Sequence, residues 1–403
     1  MKILIVTEVF YPENFLINDF AKEMVSRGHK VEVMTRQPSY PEGVVYEGYK
    51  NEDYSVEEWN GITIHRFKTI EGYKTSKLRK IWNYVHYVRA GKHLIGRLVK
   101  GADVILVHQT GPLTLALPAV YARRKWNIPT VIWTFDIWPD TVYAYGFPKI
   151  FPITTFLDNI IKKVYRGVDK ILVSSRQFTS TISQYCRDKE IIYAPNWLLP
   201  AIDERSSIRL AEDKINFTFT GNISISQNLD NVIRGFCEAK IPNANLNIIG
   251  DGSTLEQHKQ LVTLVGCENV IFHGRLPYQQ MQDILKQSDY LVLSLVSTAG
   301  IDKTEPFKIQ SYLKSGRPIY GIIRGAGKDI IEENQLGYCS DPNDIQDIAK
   351  GFNCMMNIPV EEKECIKMRA SQLMQERFNR ENIINRVDSI LQTVFKEQSY
   401  VGN

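Results

Sequence analysis

Six cysteines are scattered through the chain, Cys186, Cys237, Cys267, Cys339, Cys354 and Cys365, and none stands in a C-x-x-C pair. That lack excludes the usual zinc-site spacings and argues against a disulfide framework, so free thiols in a reducing cytoplasm are expected. No D-x-D couples two carboxylates, and the seven histidines form no i, i+4 pair and no H-x-H, so no metal site is expected. No nucleophile elbow for a Ser-His-Asp triad is present. Nowhere do about 18 apolar residues run unbroken, which disfavours a spanning helix. The start, MKILIVTEVF, has one Lys, a short apolar run and then Glu8, which reads as a first buried strand and not a signal peptide. That strand leads into EVFYPEN where a dinucleotide-binding domain would carry G-x-G-x-x-G, so an oxidoreductase of that kind is disfavoured.

With 403 residues, 43% hydrophobic and 23% charged, the chain suits two or three globular domains with large cores. The net charge of +4 hides an asymmetry: residues 1–200 hold 27 Lys and Arg against 19 Asp and Glu, and the remainder 22 against 26. The basic half should face an acidic surface or substrate.

Short apolar runs alternate with helical patterns in the first half: strands near 2–9, 30–36, 104–108, 130–135 and 171–174, helices near 17–27, 113–126 and 153–165. Such alternation indicates a parallel sheet covered on both faces. Residues 38–54, rich in Pro, Gly, Tyr and Glu, are too long for an ordinary connection and read as a functional loop. The rhythm halts at NWLLPAIDERSS, residues 196–207, and restarts with strands near 215–221, 246–250, 270–273, 291–295 and 319–323. From Asp344 onward the pattern is helical, broken near 358–359 and 379–380. The expected architecture is therefore α/β, two doubly wound Rossmann-like domains facing a cleft, with C-terminal helices. Its boundaries are 1–198 for the first domain, 199–380 for the second, and 381–403 for a last helix packing back onto the first.

The segment TEPFKIQSYLKSGRP, residues 304–318, is the most informative. It sets a short helix behind a loop, with Lys308 and Gln310 near its start, Gly316 ending it and Pro318 launching a strand. Such a unit aims a helix N-terminus at the carboxyl edge of a parallel sheet, where anions bind, and Lys308 adds a full charge. In FTGNISISQNLDNVI, Gly221 permits close backbone approach and Asn222 tolerates unusual dihedrals, so a diphosphate could lie there; a plain βα turn reads the same. GDG at 250–252 and HGRLP at 273–277, which includes Arg275 and Leu276, end two further strands. Four turns and a lysine on one sheet edge favour a phosphate ligand.

Asp136, in FDIWPD, ends a strand of the first half, where either a hydroxyl-binding carboxylate or a helix cap belongs. His108 ends the preceding strand; a lone histidine there is more often structural, but this one is expected to face the same rim. Asn14 and Asn18 follow the first strand on the same rim. Residues 74–100 carry five Lys and three Arg with no acidic residue, interleaved with Trp82, Tyr84 and Tyr87. This reads as an interfacial helix on an anionic membrane surface, ahead of a solvated basic face. No reading module accompanies it, so no nucleic acid is expected.

These residues carry a resemblance. FYPENFLINDFAKEMVSRGHKVEVMT, PSYPEGVVYEGY, FDIWPD, FTGNI, FHGRLP and KIQSYLKSGRPI span nearly the whole chain in order. On them the chain resembles retaining glycosyltransferases of family 4 with GT-B architecture, and among those the bacterial O-antigen and capsule enzymes of the L-fucosamine transferase-like group. The resemblance implies transfer of a hexosyl or N-acetylhexosaminyl group from a nucleoside diphosphate sugar, UDP-linked, to a lipid-linked oligosaccharide acceptor. The enzyme would be cytoplasmic and peripheral on the inner face of the plasma membrane, with no cofactor. Gly221 and Asn222 would lie along the donor diphosphate, Lys308 on its charge, and Arg275 and Leu276 beside the base. Asp136 matches the acidic half of the family's His-Asp pair, and Asn14 and Asn18 its first loop. Phe135 stands where that histidine belongs, leaving His108 as a substitute. The family's spaced glutamates fall on Lys303 and Ser311, leaving Gln310 or Glu305 to take the ribose. Where many members have Arg after the glycine and Lys a few residues on, Asn222 and Gln227 stand. A nucleotide-sugar epimerase of the same architecture and a non-catalytic partner in glycan assembly are the alternatives.

Because no D-x-D or histidine cluster is present, turnover is expected to survive EDTA. Complete loss restored by Mg²⁺ or Mn²⁺ would show that a cation carries the diphosphate charge.

Overall fold

The structure, a computed structural model, describes residues 1–73, 76–144, 147–200 and 202–401. It divides into two compact units, residues 1–196 with 380–403, and residues 197–379.

The first unit has strands β1 (Lys2–Thr7), β2 (Lys30–Arg36), β3 (Tyr54–Trp59), β4 (Ile62–Phe67), β5 (Val104–Gln109), β6 (Thr130–Thr134), β7 (Lys170–Val173) and β8 (Ile191–Tyr193). Among the described residues they form one sheet in the order β3-β4-β2-β1-β5-β6-β7-β8, all parallel except β3. Its helices are α1 (Leu16–Ser26), α2 (Lys77–Leu98), α3 (Leu117–Trp126), α4 (Asp140–Ala144), α5 (Ile153–Arg166) and α6 (Phe178–Ile182). The central strands are buried end to end, as strands covered on both faces must be. One face, through Leu4, Val6, Ile105, Val107 and Ile132, packs on Leu94 and Ile95 of α2, Val120 of α3 and Ile161 and Val164 of α5. On the other, Phe20 of α1 meets Trp133 of β6 edge to face, ring centres 5.7 Å apart.

The β3–β4 hairpin was not anticipated. Its turn is Asn60-Gly61, with φ of 50° and 76°, the left-handed pair that a two-residue hairpin requires.

The second unit has β9 (Ile215–Thr220), β10 (Ala244–Ile249), β11 (Val270–Gly274), β12 (Tyr290–Ser294), β13 (Ile319–Ile322) and β14 (Gly337–Ser340). They form a parallel sheet in the order β11-β10-β9-β12-β13-β14. Its helices are α7 (Leu229–Ala239), α8 (Leu255–Val265), α9 (Met281–Gln287), α10 (Ala299–Asp302), α11 (Lys308–Ser315), α12 (Ala326–Glu333), α13 (Ile345–Met356) and α14 (Val360–Glu376). In α7, Leu229, Val232, Ile233 and Phe236 fall at i, i+3, i+4 and i+7, one apolar stripe against Phe217, Phe219 and Phe352. α9, α11, α12 and α14 cover the opposite face.

α15 (Arg380–Val401) belongs to the first unit. Arg380 donates to Asp19 at 2.7 Å and to Glu23 at 2.9 Å on α1, while His29 reaches Asp388 at 3.1 Å. Val387, Leu391 and Val394 are buried.

The cysteine expectation is corrected. Cys237 and Cys267 form a disulfide with Cα atoms 5.9 Å apart. Helical packing brings together the end of α7 and the residue just past α8, and no sequence spacing records that. Cys186, Cys339, Cys354 and Cys365 are free. Of the basic stretch, Lys74 and Thr75 lie outside the described residues.

Gly235 sits inside α7, where alanine would ordinarily gain about 1 kcal/mol. A Cβ there would lie 2.8 Å from Cβ of Ile348 on α13, and still nearer its Cγ2. Ile348 is stiff at χ1 and fully buried, so it has nowhere to go. Gly235→Ala should therefore destabilise the second unit by about 1–3 kcal/mol. Urea unfolding followed by circular dichroism tests this, and a stabilised variant would mean that α7 and α13 separate easily.

Candidate active site

In the first unit, β1, β5 and β6 end side by side, which is where an open parallel sheet presents its ligand groups. Glu8 follows β1, Gly111 follows β5 and Asp136 follows β6. Burial pushes the Asp136 carboxyl up to about 6, although the Thr141 hydroxyl and the Ile137 backbone N–H donate to it and oppose the shift. Lys80 of α2 is lowered by its own burial, an effect that Glu8 and Asp136 offset. Arg36 holds Glu8 at 3.2 Å, donates to the Tyr73 hydroxyl at 2.9 Å and lies over that ring.

The neighbouring loop hangs on Glu13. Its carboxylate accepts from the backbone N–H groups of Ser39 at 2.9 Å, Tyr40 at 2.7 Å and Phe10 at 3.2 Å. Burial still holds its pKa above the usual range. Residues 38–54 are thereby fastened to the first loop. Asn18 is buried and donates to the Glu13 carbonyl at 2.7 Å, while its Oδ1 is buried without a hydrogen bond. Asn14 is exposed.

His108 does not reach the rim as an open group. It is 1% exposed, 3.1 Å from the Thr7 hydroxyl and edge-on to Phe135, and burial lowers its pKa to about 3. The residue expected to replace the family histidine is thus a neutral core side chain.

In the second unit three strand-end turns are laced together. The Gly221 N–H donates to the Ile249 carbonyl at 2.9 Å, Gly250 to Gly274 at 2.8 Å, and Ile223 to Asp251 at 2.9 Å. Gly221 and Gly250 have φ of 136° and 150°, and a Cβ on Gly250 would lie 2.9 Å from the Gly221 carbonyl carbon. Only glycine fits there. A Cβ on Gly221 would in turn come 2.6 Å from Cε and 3.0 Å from Nζ of Lys308. The missing side chain is what admits the lysine.

Lys308 opens α11, whose preceding residue, Phe307, offers no side-chain cap. Its Nζ donates to the Gln227 Oε1 and stands 4.0 Å from the centre of the Phe219 ring. Burial lowers its pKa to about 7. Among the described residues no carboxylate pairs with it. Gln227, at the position where many family members carry lysine, is thus a direct partner of Lys308.

The remaining candidates separate. Asn222 and Arg275 are exposed at their turns. Leu276 is buried with Leu210, Ile249 and Ile284, so its side chain serves the core and cannot flank a base. Glu305 is paired with Arg377 of the 377–379 connection at 2.8 Å, which marks it as structural. Gln310 is 1% exposed, and its Nε2 has no hydrogen-bond partner. Sequence reasoning placed Glu13 on this rim, read Lys80 only as part of a membrane-facing basic stretch, and missed Glu8 and Thr141. Glu8 had a signal, its place directly after the first strand. Among the described residues no three His, Cys, Asp or Glu side chains gather as a metal site.

Two family models match in succession, "Glycosyl transferase 4-like domain" over residues 16–197 and "Glycosyl transferases group 1" over 201–372. The chain belongs to the GT-B glycosyltransferases of the family 4 type. WbjE of Pseudomonas aeruginosa, named as a glycosyltransferase, is 23% identical over 62% of this chain and 64% of its own length. WcaI of Escherichia coli K12, whose name places it in colanic acid biosynthesis, is 23% identical over 89% of this chain and 93% of its own. Among solved structures, sucrose-phosphate synthase of Thermosynechococcus elongatus superposes with a TM-score of 0.74 at 13% identity, covering 98% of this chain and 99% of that one. HepE of Anabaena in complex with UDP gives 0.68 at 14% identity, over 98% and 100%. At such identities the structural likeness speaks for the GT-B fold alone.

With its pKa depressed, Lys308 of this glycosyltransferase is charged below about pH 7 and loses its proton as pH rises through that value. A bound diphosphate favours the charged form, so donor binding should take up a proton. Affinity for a nucleoside diphosphate should weaken above about pH 7, by at most roughly tenfold per pH unit. Calorimetry in buffers of different ionisation enthalpy measures the uptake directly. Lys308→Met should abolish it, and uptake persisting in that variant would assign the proton elsewhere.

Proposed function

We propose that this protein is a retaining glycosyltransferase of bacterial surface-polysaccharide assembly. It transfers a hexosyl or N-acetylhexosaminyl group from a UDP-sugar to a lipid-linked oligosaccharide at an anionic, cytoplasmic membrane surface. The observation that carries this reading is the desolvated Lys308 ammonium set against the Gly221 turn at the open N-terminus of α11. The relative named for colanic acid biosynthesis supports the polysaccharide setting, and the UDP held by HepE supports the nucleotide.

The chemistry follows from where charge develops. As the bond from the anomeric carbon to the diphosphate oxygen breaks, negative charge grows on the outer phosphate. Lys308 and the uncapped N–H groups of α11 stabilise it as it forms. The acceptor hydroxyl forms the new glycosidic bond on the same face and gives its proton to the leaving phosphate oxygen, so configuration is retained. Asp136 orients a sugar or acceptor hydroxyl, and its ionised form accepts from that hydroxyl more strongly than its protonated form. The lysine takes the role that a divalent cation plays elsewhere, and no metal is required.

A panel of nucleotide-sugars with a lipid-linked acceptor, read as released nucleoside diphosphate, tests the reading. Lys308→Ala should lower kcat by ~10²–10³, since the contact is worth more in the transition state than in the ground state. The acid limb of kcat/KM should lie near pH 6 and move upward in Thr141→Ala, which removes a hydrogen bond to the Asp136 carboxylate. An unchanged kcat in Lys308→Ala would take the lysine out of the mechanism.

A further inference from the structure

An ammonium has three N–H bonds to place, and the protein takes up one of those on Lys308. Its Nζ donates to the Gln227 Oε1, and among the described residues no other acceptor takes the remaining two. The Phe219 ring offers its face to the charge but no lone pair. Beside Nζ lies the gap at Gly221, where a Cβ would come within 3.0 Å of it. What fixes the ammonium at this spot is therefore a glutamine, and the glutamine is itself fixed. Gln227 is 9% exposed and ends the single turn Ile225–Gln227, its N–H donating to the Ser224 carbonyl at 2.9 Å. The Ser226 carbonyl accepts from the Val296 N–H at 2.9 Å, which ties the turn to the loop after β12. Asn228 follows with φ of 54°, and its side chain and that of Asn231 both donate to the Pro342 carbonyl, at 2.7 and 2.8 Å.

The amide can face only one way. Its Nε2 donates to the Ser226 hydroxyl at 3.4 Å, and that hydroxyl lies 2.9 Å from the Ser224 hydroxyl. An ammonium donates and never accepts, so the amide oxygen must be the atom that meets it. The neutrality of that oxygen matters as much as its place. A carboxylate here would cancel the charge, and a hydrocarbon would leave the ammonium without an acceptor and favour its neutral form. The amide orients the charge and leaves it uncompensated. The charged groups on the surrounding elements are engaged elsewhere: Glu305 with Arg377 at 2.8 Å, Asp302 with the Ser297 hydroxyl at 2.8 Å, Asp251 with the Gly252 N–H at 2.7 Å, and Arg324 with Asp341. Burial lowers the Lys308 pKa, and no charge of either sign contributes.

We propose that Gln227 is the positioning residue of this site: its amide oxygen aims Lys308 into the Gly221 gap without neutralising it, so that two N–H bonds and the whole charge remain for the outer phosphate of a nucleoside diphosphate. The proposal rests on the donor reading above only in naming that ligand. Gln227 acts through Lys308 and needs no contact with the nucleotide. Ser226 acts one step further back, by holding the amide nitrogen away from the ammonium.

Two substitutions with opposite effects test this in the full chain. In ligand-free protein carrying carbon-13 at lysine Cε, the Lys308 resonance, identified by its loss in Lys308→Met, should titrate near pH 7. Gln227→Met should lower that midpoint. Gln227→Glu should raise it by ~1–3 pH units, the usual effect of an adjacent opposite charge. Calorimetry with UDP then reads the consequence. At pH 7 the unaltered protein should take up about half a proton on binding, Gln227→Met close to one, and Gln227→Glu almost none. Gln227→Glu should also bind UDP about tenfold more weakly or worse, because its lysine is already paired. A side chain that only filled space would weaken binding in both variants without moving the titration in opposite senses. Melting temperatures show which variants are folded, and either one alone decides. An unmoved Lys308 midpoint in a folded variant would overturn the proposal. Opposed midpoint shifts in a protein that does not bind UDP would sink the donor reading and leave Gln227 as the holder of Lys308. UDP binding with unmoved midpoints would do the reverse.

Discussion

One positive charge held out of water organises the second unit. Lys308 can enter the sheet edge only because Gly221 has no side chain, and the Gly221 turn keeps its shape only because Gly250 lets the neighbouring strand end approach it. Two absent Cβ atoms therefore create the space in which an ammonium sits against an aromatic ring and a glutamine oxygen, with its charge destabilised. That destabilisation is a reservoir: the incoming diphosphate supplies what the protein withholds. The N-terminus of α11 adds partial charge in the same direction.

The first unit follows a different electrostatic plan. There a carboxyl is the group out of water, raised at Asp136 by burial, with Lys80 near enough to feel it. One unit presents a strained cation and the other a strained acid. Each perturbation, taken within its own unit, is of the kind found where protons and anions are handled.

Much of this could be read from the chain. Alternating apolar runs marked the central strands, because buried parallel strands leave a strong pattern, and the glycine and lysine of the 304–318 and 219–233 segments stood at strand ends. The β3–β4 hairpin escaped because β3 is a half-exposed edge strand and the buried β4 mixes Thr63, His65 and Arg66 with its apolar residues, although Asn60-Gly61 announced the turn. His108 was misjudged because a strand end does not reveal whether a ring points outward or into the core. Leu276 and Glu305 lay in the right turns, but their side chains face a core cluster and an arginine. The Cys237–Cys267 pair depended on how α7 and α8 pack, and no local signal carries that.

α15 returns to the first unit after 183 intervening residues. Its Arg380 holds α1, and Val387, Leu391 and Val394 fill the interior of a unit whose other parts are synthesised first. At roughly 5–20 residues per second, a ribosome needs about 10–40 s to make the intervening stretch. Throughout that time the nascent first unit lacks its last helix, and the apolar surface that α15 covers stays open. The second unit can complete itself while the first waits. The two units are therefore completed in the reverse of the order in which they begin, and a helix made after the second unit is the one that finishes the first.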